Sequence, residues 1–231
     1  DDEDVKKAAD LLKRLPQNPV NEGVLIDFAV GLFHEGDAPG HFKVCHRHPS
    51  RLAGIFPAEE INASSPKEVL ELGIRSFQEF MSYGDAGFTG WSTAWQAAIA
   101  ARLGLADEAE RILRIQQEHF TLKGLFNSHN SVSGKYGMAG GPLFQIDGTL
   151  GSAAAVSEML LQSAGGLIRV FPGVPEKRRA YFRSLRAQGA FLVSAEKDEA
   201  GTRFVEILSE TDSTAVVSNP WPGREVRIDD G

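Results

Sequence analysis

Cysteine is almost missing from this chain: Cys45 is the only one in 231 residues, so no disulfide forms within it and cysteine usage leaves the redox compartment open. No apolar run reaches the length of a helical membrane span. A basic excess is also lacking, since the net charge is −7, and a nucleic-acid partner needs a concentrated basic surface to displace counterions from phosphate. The one basic cluster, Lys177-Arg178-Arg179 with Arg183 and Arg186, is short and reads as a solvated face. The chain opens Asp1-Asp2-Glu3-Asp4 with neither an initiator Met nor a signal peptide, which would suggest the cytosol for a complete protein and loses that force for part of a longer one. There is no Walker-type phosphate loop, no Gly-x-Ser-x-Gly elbow and no paired-His metalloprotease helix, and no cofactor is implied.

What is present can fold. Hydrophobic residues make up 42% of the sequence, enough at this length for a sizeable core. Val5, Ala8, Leu11, Leu12 and Leu15 recur at helical spacing before Pro16 and Pro19. Val24-Leu25-Ile26 with Phe28 reads as a short strand or buried turn. A helix is predicted from Ser65-Pro66 through Met81, and another from an N-cap at Thr89 to about Gly104. A partner helix spans about Asp107 to Phe120, and a small-residue helix runs from Gly151 to Gln162. After Gly165-Gly166 the stretches Leu167 to Phe171, Ala190 to Ala195, Phe204 to Leu208, Ala215 to Val217 and Val226 to Ile228 read as strands. The fold expected is mainly α with a β tail: helical hairpins over residues 1–166, then a small antiparallel, β-sandwich-like domain over 167–231.

Three segments carry groups suited to chemistry. Phe144-Gln145-Ile146-Asp147-Gly148 sets a carboxylate in a turn ahead of a helix, where the helix dipole favours the ionised form that a base needs; on spacing alone a helix cap is the commoner role. His41, Cys45, His46, Arg47, His48, Pro49 and Ser50 form a loop whose imidazoles and guanidinium suit hydrogen bonding to sugar hydroxyls. Its competing readings are a structural loop and a metal site on His41, Cys45, His46 and His48, although the spacing fits neither a zinc finger nor a helical His pair. A Cys45 nucleophile beside His46 is disfavoured because adjacent residues rarely face each other. Trp91 and Trp95, in Gly90-Trp91-Ser92-Thr93-Ala94-Trp95, stand one helical turn apart, a spacing more often found in cores but also suited to the apolar faces of sugars. Asn127, Ser128 and His129 form a weaker polar group.

The order of these motifs resembles glycoside hydrolase family 95, the α-L-fucosidase-like enzymes. Further likeness lies in Gly54-Ile55-Phe56-Pro57, Ala101-Arg102-Leu103-Gly104, Glu158-Met159-Leu160-Leu161-Gln162-Ser163 and Pro172-Gly173-Val174-Pro175, so that it covers most of residues 20–195. The resemblance implies an (α/α)6 toroid of helical hairpins with a central sugar pocket, a C-terminal β-domain, and inverting hydrolysis of α-L-fucosides or related α-galactosides. It makes Asp147 the general base, assigns sugar contact to a His of the motif at His46 and His48, and puts Trp91 and Trp95 in the pocket wall or its support; His129, from the weaker polar group, is added as a candidate sugar contact. Its glutamate acid belongs upstream of His46, where nothing here matches, and six hairpins need more chain than residues 1–165 supply, so a C-terminal portion of a longer enzyme is expected. The expected partners are an oligosaccharide or glycan and either the N-terminal part or a second copy, with a secreted or periplasmic location favoured. The alternatives are a non-catalytic carbohydrate-binding remnant and the metal-binding module. The chain departs from the family at Thr149, commonly Asn, at Arg51, often His, and in the insertion-like stretch Ser131 to Gly140.

Overall fold

A computed structural model describes residues 2–27, 46–137 and 140–228. The segment around His41, Cys45 and Phe28 lies outside these residues. Among those described, five helices precede a three-stranded antiparallel sheet.

The first helix, α1 (Asp2–Arg14), has acidic residues in its first turn and Lys13 and Arg14 in its last, the arrangement that complements the helix dipole. It buries none of its residues, and Val5, Leu11, Leu12 and the following Leu15 remain exposed. A two-residue ladder follows, β1 (Val20–Asn21) with β2 (Val24–Leu25). It is tied down where the Leu25 N–H donates to Ser76 Oγ at 2.8 Å. Ser76 sits on α2 (Lys67–Ser82), which turns Phe77 and Phe80 into the core.

The centre of the helical layer is α3 (Gly90–Arg102). Thr89 and Ser92 form a reciprocal capping box at its start, satisfying two backbone donors that would otherwise lack partners. Eleven of its thirteen residues are buried, five of them alanines, which lets its neighbours approach closely on both sides. Gly104, at φ 75°, turns the chain into α4 (Ala106–His119), because a left-handed residue at a helix end favours glycine. Also packed on α3 is α5 (Ile146–Leu160). It starts at Ile146 rather than at Gly151, so Asp147 stands within the first turn and Gln145 takes the cap position. Gly148 and Gly151 do not break the helix; they are places where other residues touch its backbone.

At their C-terminal ends α3 and α5 are joined by a buried ion pair. Arg102 Nε and Nη2 each reach the Glu158 carboxylate at 2.8 Å, and Gln162 Nε2 donates to the Ala101 carbonyl at 2.9 Å.

Beyond α5 a second apolar core gathers Leu161, Ile168, Phe171, Phe182, Phe191, Val193 and Ala195. It is covered by a meander of β5 (Ala180–Ala187), β6 (Phe191–Asp198) and β7 (Gly201–Ser209), with the small ladder β3 (Leu161–Gln162) with β4 (Arg169–Val170) at its edge. Two anticipated strands fall within β6 and β7, and Leu167 to Phe171 contracts to β4. Ala215 to Val217 contributes only a bridge from Val217 to Ile168, and Val226 to Ile228 forms no strand. The strand that sequence pattern hides is β5. A register shift between Phe182 and Leu185 places its inward apolar residues three apart, which breaks the period of two. The basic cluster is exposed but not unpaired, since Arg178 binds Glu110 of α4 and Arg186 binds Glu210.

Candidate functional site

The site is assembled on the first turns of α3 and α5. The Trp91 N–H, a helix-start donor with no partner inside α3, donates to Gln145 Oε1 at 2.8 Å. The Gly90 N–H donates to the His129 carbonyl at 3.2 Å, and Ser92 Oγ donates to the Arg47 carbonyl. One helix start therefore gathers the Phe144–Gly148 segment, the His46–His48 loop and His129, segments far apart in sequence.

Asn127 fixes the spacing between the two helix starts. Its side chain is buried, with Nδ2 donating to the Phe120 carbonyl at 3.1 Å. Its backbone N–H donates to Thr149 Oγ1 at 3.1 Å, and its carbonyl accepts from the Gln145 N–H at 3.0 Å. Asn127 Oδ1 lies so close to Gly90 and Gly148 that a Cβ on either would fall 1.9 Å from it. Glycine is required at both positions by this approach rather than by backbone conformation.

Asp147 is exposed on the first turn of α5, with Oδ1 accepting from the Gly148 N–H at 3.2 Å. The half-buried His48 is held below the ordinary imidazole range, first by burial and then by the charges of Arg47 and His46; Asp147 acts in the opposite sense, and His129 adds a weaker lowering. His46, His48, His129 and Asp147 thus share one electrostatic neighbourhood. His46 Nδ1 receives the His48 N–H at 3.1 Å, and the two rings meet edge to face.

The two tryptophans on α3 pack together, their ring centroids 5.4 Å apart. Trp91 lies against α5 so tightly that a Cβ on Gly151 would come within 2.6 Å of its ring. Trp95 Nε1 donates to the Phe56 carbonyl at 2.8 Å and so anchors the segment after the His loop. Of the departures from the family pattern, Arg51 is buried and bound to Glu79, with its guanidinium over the Phe80 ring. Thr149 is part of the frame through Asn127. In the insertion-like stretch, residues 131–137 fold back along the end of α4: the Val132 N–H donates to the His119 carbonyl at 2.8 Å, and Tyr136 packs on the His119 ring.

Sequence reasoning missed Asn130, which bonds His129 Nδ1 at 2.8 Å. It lies in a run of Asn, Ser and Gly where spacing carries no signal. A groove of about 390 Å³ between α4 and α5, along Glu110, Leu113, Val156 and Met159, contains none of the candidate residues.

Comparison with known proteins identifies the family. The sequence family described as the glycosyl hydrolase family 95 catalytic domain matches residues 1–160, beginning and ending earlier than the motif likeness over residues 20–195. Alpha-L-fucosidase 2 of Arabidopsis thaliana is 35% identical over 156 residues, covering 66% of this chain and 18% of that protein. Probable alpha-fucosidase A of Aspergillus niger is 29% identical over 122 residues, covering 52% of this chain and 14% of that protein. The chain thus spans less than a fifth of the length of these relatives. A match over more than half of the chain, covering all five helices and the loops that carry His48 and His129, makes it a member of glycosyl hydrolase family 95.

Proposed function

We propose that this chain is the part of an inverting α-L-fucosidase that carries its general base, Asp147. The observation that carries this reading is the convergence of Asp147, His48 and His129 on the first turns of two packed helices. A carboxylate there, beside imidazoles suited to bonding hydroxyls, can take a proton from water while the sugar is held. His46, His48 and His129 bind the sugar, and Trp91 and Trp95 support the wall behind them. The substrate is a terminal α-L-fucoside, or a related α-galactoside, of a glycan.

Inversion needs a second carboxyl group, as acid, about 6.5–9.5 Å from the base. In this reading it comes from polypeptide upstream of the His loop, in keeping with the small share of each relative that the chain covers. The remaining helices of an (α/α)6 toroid would cover the apolar side chains exposed on α1 and at Leu143, Phe144, Ile146 and Leu150. Residues 1–166 then belong to the toroid and 167–231 to the β-domain.

The deciding experiment is Asp147→Asn in the protein with its complete catalytic domain. Hydrolysis of an α-L-fucoside is expected to fall about 10²–10⁴-fold, the usual contribution of general base catalysis, while fucose binding persists. Unchanged hydrolysis would end the proposal.

A further inference from the structure

The orientation of the Asn130 amide follows from its partners. Its Nδ2 donates to the Gly141 carbonyl at 3.0 Å, and a carbonyl oxygen only accepts. Oδ1 is therefore the atom facing His129, 2.8 Å from Nδ1, and an amide oxygen also only accepts. In the neutral ring the proton must then sit on Nδ1, and Nε2 keeps its lone pair; the bond made by one ring nitrogen decides the state of the other. Among the described residues Nε2 has no protein hydrogen-bond partner. The ring is half-buried and acts on His48 together with Asp147. His129 is held in place from both sides along the backbone, its N–H donating to the Leu143 carbonyl at 2.7 Å and its carbonyl receiving the Gly90 N–H at 3.2 Å.

We propose that Asn130 is a positioning residue that fixes the Nδ1–H tautomer of His129, so that Nε2 serves as the acceptor for a hydroxyl of the sugar bound beside Asp147. The sugar half of this rests on the fucoside reading above; the tautomer half does not. A ring held as an acceptor favours a ligand with a hydroxyl at that point, because a sugar lacking it leaves a partly desolvated lone pair unpaired. The same amide joins His129 to Gly141, the residue just after the insertion-like stretch, so the base of that stretch sets what the ring offers.

The test is nitrogen–proton NMR correlation of the histidine rings in this chain, in alkaline buffer where imidazoles are neutral, with His129 assigned by its loss in His129→Gln. The expected spectrum has a protonated Nδ1 and an unprotonated Nε2. Asn130→Asp, which keeps an acceptor against Nδ1, should retain this pattern, and Asn130→Leu should lose it. A wild-type ring protonated on Nε2, or an Asn130→Leu ring unchanged from wild type, would overturn the proposal. In the protein with its complete catalytic domain, L-fucose is expected to shift the Nε2 resonance and to bind about fivefold to tenfold more weakly to Asn130→Leu, the worth of one neutral hydrogen bond. An Nδ1–H ring that ignores L-fucose would overturn the sugar half, while the hydrolytic role of Asp147 is judged separately by Asp147→Asn.

Discussion

At their C-terminal ends α3 and α5 are joined by opposite charges, Arg102 with Glu158; at their N-terminal ends they are joined by neutral groups, Asn127 and Gln145, bonding to backbone and hydroxyl partners. The C-terminal join uses its charges for structure: Arg102 pairs with Glu158, lies 3.7 Å from Glu59 and stacks over the Phe56 ring. The N-terminal join holds the same two helices without any carboxylate or guanidinium, so the charge of Asp147 stays available beside His48. One helix pair thus separates a stabilising end from an end suited to chemistry.

Breaking the charged end should have the largest effect on stability. Arg102→Met leaves Glu158 largely buried without its partner, and a cost of about 3–5 kcal/mol is expected in chemical denaturation; adding Glu158→Leu should recover most of it. Gly148→Ala attacks the neutral end. Its methyl would meet Asn127 Oδ1 at 1.9 Å, so the first turn of α5 must shift, at about 1–3 kcal/mol. In the protein with its complete catalytic domain it should lower kcat far more than the Arg102 and Glu158 changes do, and equal loss of kcat from both ends would erase the distinction drawn above. A smaller effect is expected from Thr89→Ala, which removes the capping box at about 1 kcal/mol.

The least effect is that of pH through His48. Its folded pKa lies below the ordinary value of 6.5, so the unfolded chain binds more protons in the window between the two. Stability from this group is full above the ordinary imidazole pKa and is lost as pH falls through the depressed one. His48→Gln should therefore flatten the acid side of a stability profile measured against pH, and an unchanged slope would show that the group contributes nothing.

Much of the helical layer was legible because its ends carry chemical signals. Thr89, Ser92 and Gly104 mark α3, and the acidic start of α4 follows directly. The start of α5 was misplaced because Gly148 and Gly151 look like turn residues in one dimension, whereas Asn127 and Trp91 press on them in three. In the tail, the shift inside β5 hid a strand. Ala215 to Val217 and Val226 to Ile228 have the composition of strands but are not paired into one. Of the site, the order of motifs pointed to His48 and Asp147. It could not disclose the wedge of Asn127 between two glycines or the hold of Asn130 on His129, since both depend on which loops meet.

The alanines of α3 have a consequence for how this protein can change over generations. With Ala94, Ala97, Ala98, Ala100 and Ala101 all buried, the helix meets its neighbours α4 and α5 with side chains of nearly minimal size. Such a surface has almost nothing to trim, and any growth must push a neighbouring helix outward. Inherited variation there should therefore be confined to glycine and serine, leaving the separation of the flanking helices among the slowest features of the lineage to drift.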